Sequence, residues 1–364
     1  MKIKDIIAYL EDFAPLDYQE TYDNSGLIIG NKNIEVKGVL ITLDCTEEVI
    51  DEALSRGCNV IITHHPIVFS GIKKFNGNNY IERTVINAIK NDIAIYAIHT
   101  NIDNILHGVN GKIADKLKLE NRKILSPKSD LLRQLVVYCP SDNVTVLKDS
   151  LFSAGAGEIG NYKNCSFSSI GEGTFRATNQ ANPSIGEIGD LHIENEQRIE
   201  VVYSKDKERE VLNAMKKNHP YEEVAHQIYL INNKYQLVGS GLFGELVKPI
   251  KSEDFLILVK TIMCTDNIRY TKLVKDKIRK VAVCGGSGSF LLEKAKSVGA
   301  DIFITSDFKY HQFFDANAEI IIADIGHYES EQYTKELIYE LLTKKFTKFA
   351  IQLSNVNTNP IKYI

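Results

Sequence analysis

Three places in the chain carry side chains of the types that hold transition metals. Val60-Ile61-Ile62-Thr63 leads into His64-His65-Pro66. The apolar run 93–98 leads into His99, with Asp103 four residues on. Ile320-Ile321-Ile322-Ala323 leads through Asp324-Ile325-Gly326 to His327, with Glu331 four residues on. Imidazole with carboxylate is a donor set suited to zinc, iron, manganese or cobalt. If a helix opens at His327, Glu331 lies on its face one turn on, whereas Glu329 points away. Any one pair alone would pass for a strand end or a solvated loop. Three such clusters in a chain with nine histidines make a metal site the better reading.

The elements that would deliver these residues are short β-branched runs of the kind buried in parallel sheets. Pro66 cannot donate to a strand ladder, so the first run should stop near His64. That places the histidines at the carboxyl edge, where open α/β sheets form their ligand crevices. Adjacent strand residues point to opposite faces. His64 and His65 therefore reach one site only if the chain turns there, or if two metals are present.

The pattern also repeats. Gly38-Val39-Leu40-Ile41, a helical stretch over Glu47–Ser55 and Gly57 to Thr63 resemble Lys280-Val281-Ala282-Val283, a helical stretch over 290–297 and Gly299 to Thr305. His64-His65 falls against Ser306-Asp307, and each copy should continue through a helix to a further strand. Two such halves facing each other would bring their strand ends to one cleft. Gly285-Gly286-Ser287-Gly288-Ser289 sits between a strand and a helix. It can be read as a cradle for an anion at a helix N-terminus or as a turn that lets strand and helix pack closely. Asp307, Lys309 and His311, with His99, are the candidates for substrate contact or proton transfer.

Between the halves the pattern changes. Strands near 133–139, 198–203 and 225–230, with helices near 143–154 and 205–218 and Gly-rich turns and strands between, follow the split βαβ order of ferredoxin-like domains. The expected organisation is a first half of an α/β core over 1–126, an inserted α+β domain over 127–232 and the second half over 233–364.

These segments resemble the GTP cyclohydrolase 1 type 2 family, also called NGG-interacting-factor-three-like, of dinuclear-metal proteins. The matching stretches are Asp23-Asn24-Ser25-Gly26-Leu27, Thr63-His64-His65-Pro66, His99-Thr100-Asn101-Ile102-Asp103, Thr305-Ser306-Asp307-Phe308-Lys309-Tyr310-His311 and Gly326-His327-Tyr328-Glu329-Ser330-Glu331. They occur in order over nearly the whole chain. The resemblance implies two divalent ions per chain, zinc before iron, manganese or cobalt. It implies His64, His65, Asp103, His327 and Glu331 as ligands, with Glu331 as the bridge. His99 would then orient Asp103 or a metal-bound water from the second shell. It also implies a PII-like insert, to whose pattern His219-Pro220-Tyr221-Glu222-Glu223 and Thr174-Phe175-Arg176 belong, and a ring-shaped homohexamer. Tyr22 stands where the family usually has tryptophan, and Ser306 where glycine is common; both could alter a substrate pocket.

Two function classes are open. One is a metal-dependent hydrolase acting on a nucleotide or related small anion, with opening of the guanine imidazole ring of GTP implied by the family name. The other is a non-catalytic metal-holding scaffold or regulatory protein that binds a nucleotide or a protein partner. The 364 residues, 44% of them hydrophobic, allow an ample core. A net charge of -4 offers no bulk attraction for nucleic acid or anionic membrane. The six cysteines lack paired spacing, which suits reduced thiols in a cytoplasmic protein. The start of the chain reads as an amphipathic helix, with no signal peptide or membrane span expected.

Overall fold

The computed structural model describes all residues from Met1 to Ile364. It is a mixed α/β structure of three sheets that divides into two compact units, one of Met1–Pro127 with Leu237–Ile364 and one of Lys128–Gln236.

In the first unit, the strands Ile351–Leu353, Val39–Thr42, Val60–Thr63 and Ala94–Ala97 lie side by side and parallel, and Gly26–Ile29 closes the edge antiparallel. The middle strands are buried on both faces, as their β-branched composition requires. Helices Glu47–Ser55 and Tyr80–Lys90 pack on one face, where Val49, Ile50, Ala53, Val85 and Ala88 meet Leu40, Ile61 and Ile95. Register sets up the site, because Thr42 pairs with Thr63 and Thr63 with Ala97. Residues just beyond each strand therefore emerge at one edge, which collects Asp44, His64, His65 and His99.

The second sheet orders Arg269–Tyr270, Ile321–Asp324, Ile302–Ser306, Lys277–Ser287, Tyr235–Lys251 and Glu120–Lys128. Its central strands Lys277–Ser287, Ile302–Ser306 and Ile321–Asp324 are parallel. The crossover helix is shorter than the sequence pattern suggests: a 3-10 turn over Ser289–Leu291 and then α-helix only over Leu292–Ser297. The next connection is not an α-helix at all. Tyr310–Ala316 is a 3-10 helix, ended by Asn317 and Ala318 in left-handed conformation. Seven residues cannot complete the turns and cap that an α-helix of ordinary length needs.

The second unit is a four-stranded antiparallel sheet in the order Phe167–Arg176, Leu191–Ser204, Leu132–Pro140, His226–Ile231. Helices Val144–Ser153 and Glu208–Asn218 cover one face, packing Leu147, Leu151, Val211 and Met215 on Leu135, Val137, Ile199 and Val201. No helix is long and apolar enough to cross a membrane.

Candidate metal centre

His64 and His65 follow the Val60–Thr63 strand directly. Asp103 ends a single helical turn, Thr100–Asp103, rather than sitting on a strand edge. His327 and Glu331 begin and end the short helix His327–Glu331. These five residues and His99 come together in three overlapping groups able to hold a metal ion: His64, Asp103 and Glu331; His65, His327 and Glu331; and His64, His65 and His99.

The distances tell this cluster from an ordinary polar network. His64 Nε2 stands 3.6 Å from Asp103 Oδ1 and 3.7 Å from Glu331 Oε1, too far for hydrogen bonds. His65 Nε2 and His327 Nε2 are 2.9 Å and 3.1 Å from Glu331 Oε2 and 3.4 Å from each other. Donors about 2.1 Å from a tetrahedral ion stand about 3.4 Å apart. His64 is wholly buried, and its Nε2, like Asp103 Oδ1, has no hydrogen-bond partner. His64 Nδ1 lies 2.8 Å from the carbonyl of Ile98. A carbonyl can only accept, so Nδ1 carries the proton and Nε2 presents a lone pair. His64 Nε2 and Asp103 Oδ1, buried side by side with no hydrogen bond to each other or to any other group, leave a polar gap that a cation would fill once Asp103 gives up its proton.

The remaining imidazoles are held from behind. His65 Nδ1 donates to Asp44 Oδ1 at 2.7 Å, His327 Nδ1 to Asp307 Oδ2 at 2.6 Å, and His99 Nδ1 to Asp23 Oδ1 at 2.7 Å. Carboxylate behind imidazole is the usual support of a metal-binding histidine, fixing its tautomer and ring orientation. Asp307 thus touches His327, and His99 is turned by Asp23. His99 influences Asp103 electrostatically. Lys309 and His311 are exposed: the Lys309 amide bonds Gln312, and the His311 ring packs on Tyr310 and Phe314. Neither enters the cluster.

At the strand end of the 285–289 turn the glycines serve packing, and the first two amides are already engaged. Gly285 N–H donates to Asn110 and Gly286 N–H to Ser330. Gly286 has φ +65°, and a Cβ there would collide with Glu331 Oε1. Glycine therefore lets the strand approach the central carboxylate. Ser306, buried, holds that glycine by donating its hydroxyl to the Gly286 carbonyl at 2.6 Å. Tyr22 is exposed beside Phe69, with ring centroids 6.2 Å apart.

Glu329 points away from the cluster, but it is buried rather than solvated, and its Oε1 accepts from Asn359 Nδ2 at 2.9 Å. Thr358 donates to Asp44 Oδ2 at 2.6 Å. These bonds draw the C-terminal residues Asn359, Pro360 and Ile361 over a cleft of about 350 Å³ lined also by His65, His99 and His327.

Burial disfavours charge on His65, but Glu331 and Asp44 outweigh it and push its pKa up to about 10. The same opposition, with Glu331 and Asp307, raises His327 to about 11. Burial and the Glu331 charge raise Asp103 to about 8. Burial alone would raise Glu331, yet the His327 and His65 charges hold it well below the usual range. At pH 7 the metal-free cluster therefore keeps protons on His65, His327 and Asp103, and an entering metal must expel them. Loading at pH 7 should release roughly three protons per chain. Calorimetry in buffers of different ionisation enthalpy reads this number, and release of none would mean that the metal binds elsewhere.

The profile of the Duf34/NIF3 family (NGG1p interacting factor 3) matches residues 1–360. A Bacillus subtilis protein named GTP cyclohydrolase 1 type 2 homolog is 38% identical over 365 residues, covering 99% of this chain and 98% of the relative. A Staphylococcus aureus protein of the same name is 36% identical over 369 residues, covering all of both. The crystal structure of a Bacillus cereus protein related to NIF3 superimposes with a TM-score of 0.86 at 37% identity, covering 100% of this chain and 99% of the other. With its full-length family match, its relatives and its fold in agreement, the chain belongs to the Duf34/NIF3 family.

Proposed function

We propose that this chain is a metal-dependent hydrolase with two divalent ions bridged by Glu331, acting on a nucleotide or related small anion. The observation that carries the reading is the division of the Glu331 carboxylate, with Oε1 toward His64 and Asp103 and Oε2 toward His65 and His327. Zinc is the first choice of ion, before iron, manganese or cobalt. A pair of divalent ions supplies hydrolysis with an acidified water and concentrated positive charge.

The protein's own groups do the rest. Asp44, Asp307 and the Ile98 carbonyl lock the imidazoles in one tautomer, and His99, held by Asp23, stands ready to pass a proton at the cleft. Lys309 and His311, exposed on the segment that carries Asp307, are the candidates for contact with an anionic group. Residues 359–361 line the cleft beside His65, His99 and His327. The relatives named GTP cyclohydrolase 1 type 2 homologs make GTP the first substrate to test.

We read the two α/β sheets as repeated halves of one core, spanning 1–126 and 233–364. The 127–232 segment is an inserted ferredoxin-like, PII-like domain, and its strand order supports this. The assembly we expect is a cytoplasmic homohexamer.

A panel of nucleotides, phosphodiesters and small amides on metal-loaded protein tests the function. Turnover should require the metal. It should fall by at least about 100-fold in His64→Ala, the upper range for losing even an outer-shell partner. Tight nucleotide binding without turnover of any substrate would favour a scaffold.

A further inference from the structure

A cavity of about 640 Å³ lies in the Lys128–Gln236 unit, and none of the metal-cluster residues lines it. It opens on the sheet face opposite the two helices. Ile199, Val201 and Tyr203 turn toward the helices, so Glu196 and Arg198 on the same strand turn the other way. Tyr138 and Ser169 pair across from Arg198, and Gly171 from Glu196, which completes a floor. Phe175 and Tyr221, with ring centroids 5.8 Å apart, make an aromatic wall. The 177–185 segment forms a roof, tied down where Asn182 N–H donates to the Glu222 carboxylate at 2.9 Å. Thr174-Phe175 and Tyr221-Glu222-Glu223, two sequence motifs that the metal chemistry leaves unused, thus meet here.

We infer that this cavity is a second ligand site, independent of the metal centre, and that it takes a flat organic cation such as a protonated amidine or amino-heterocycle. Volume and aromatic lining are those of a small-molecule pocket. Charge decides the class. Glu172, Glu196, Glu222 and Glu223 line the cavity against one basic residue, Arg198, which is already paired with Glu200 at 3.1 Å. An anion would meet four carboxylates and a single arginine already in an ion pair, whereas a flat cation would find aromatic faces and carboxylates together. Two glycines keep the floor clear. A Cβ on Gly173 would collide with the Glu196 carboxylate, and a Cβ on Gly171 would meet nothing.

Gly171→Leu should accordingly fill the cavity without disturbing the backbone. The experiment titrates the full metal-loaded chain with benzamidine and with benzoate, which share a ring and differ in the sign of their charge, by calorimetry and ligand-detected NMR. Benzamidine should bind in the millimolar range expected of so small a ligand. Benzoate should bind at least about tenfold more weakly. Gly171→Leu should abolish benzamidine binding with metal content unchanged. The isosteric Glu196→Gln should weaken it by about three- to tenfold and serves if the leucine variant misfolds. Absence of benzamidine binding, affinity untouched by either variant, or benzoate binding equally well and lost in Gly171→Leu would overturn the assignment.

Discussion

Glu331→Gln should empty the metal centre, and Glu329→Gln should leave it full. Both residues are buried glutamates on one short helix, and they differ in what they face. Glu331 directs one oxygen to His64 and the other to His65 and His327, whereas Glu329 directs an oxygen to Asn359. The amide keeps the size of Glu331 but removes the charge that offsets the ions, and its NH2 presents hydrogens where a lone pair is needed. Metal affinity should fall at least about 100-fold, beyond what outer-shell losses cost. In Glu329→Gln the side-chain carbonyl can still accept from Asn359, so occupancy should hold within about twofold. Elemental analysis of both variants, with circular dichroism as the folding control, reads the contrast. Equal losses would break the ligand assignment.

Chelator-stripped protein should melt in two steps, and restored metal should shift only one of them. The cluster belongs entirely to the unit of Met1–Pro127 with Leu237–Ile364, while the Lys128–Gln236 unit packs its own core. Without a metal, Asp103 and Glu331 are buried against each other, and Asp103 must hold a proton to offset their repulsion, a costly arrangement. A ligand at 1,000 times its Kd adds about 4 kcal/mol. For a unit of this size, that moves a midpoint by roughly 10 °C per site. Calorimetric scanning should show that shift in the core transition and a change within about 2 °C in the other. A common shift of both would mean that the units unfold as one, and no shift would mean that the cluster is not a metal site.

Much of the centre could be read from local pattern. β-branched runs that stop at His64, His99 and Asp324 mark strand ends, and the four-residue step from His327 to Glu331 marks one helical face. The supports were hidden because they come from residues far apart in the chain. Asp44 meets His65 only because parallel register aligns two strand ends, and Asp23 meets His99 across 76 residues. The Gly-rich turn was ambiguous for the same reason, since the partner of the Gly285 amide, Asn110, lies 175 residues away. Nothing local marks residues 358–361 as a cover either, for Thr358 and Asn359 are placed by Asp44 and Glu329. The second half misleads in another way. Its strands follow the first half's pattern, but the Lys309 amide donates to the Gln312 side chain at the start of a 3-10 helix, where the repeat suggests an α-helix.

The most direct test is metal per chain in protein purified gently without chelator, by elemental analysis against quantitative amino-acid analysis. With Glu331 shared between two ligand sets, about two divalent ions per chain are expected. A trace only, after reloading with zinc, iron, manganese and cobalt in turn, would contradict a metal centre, and a firm value of one would contradict the bridge.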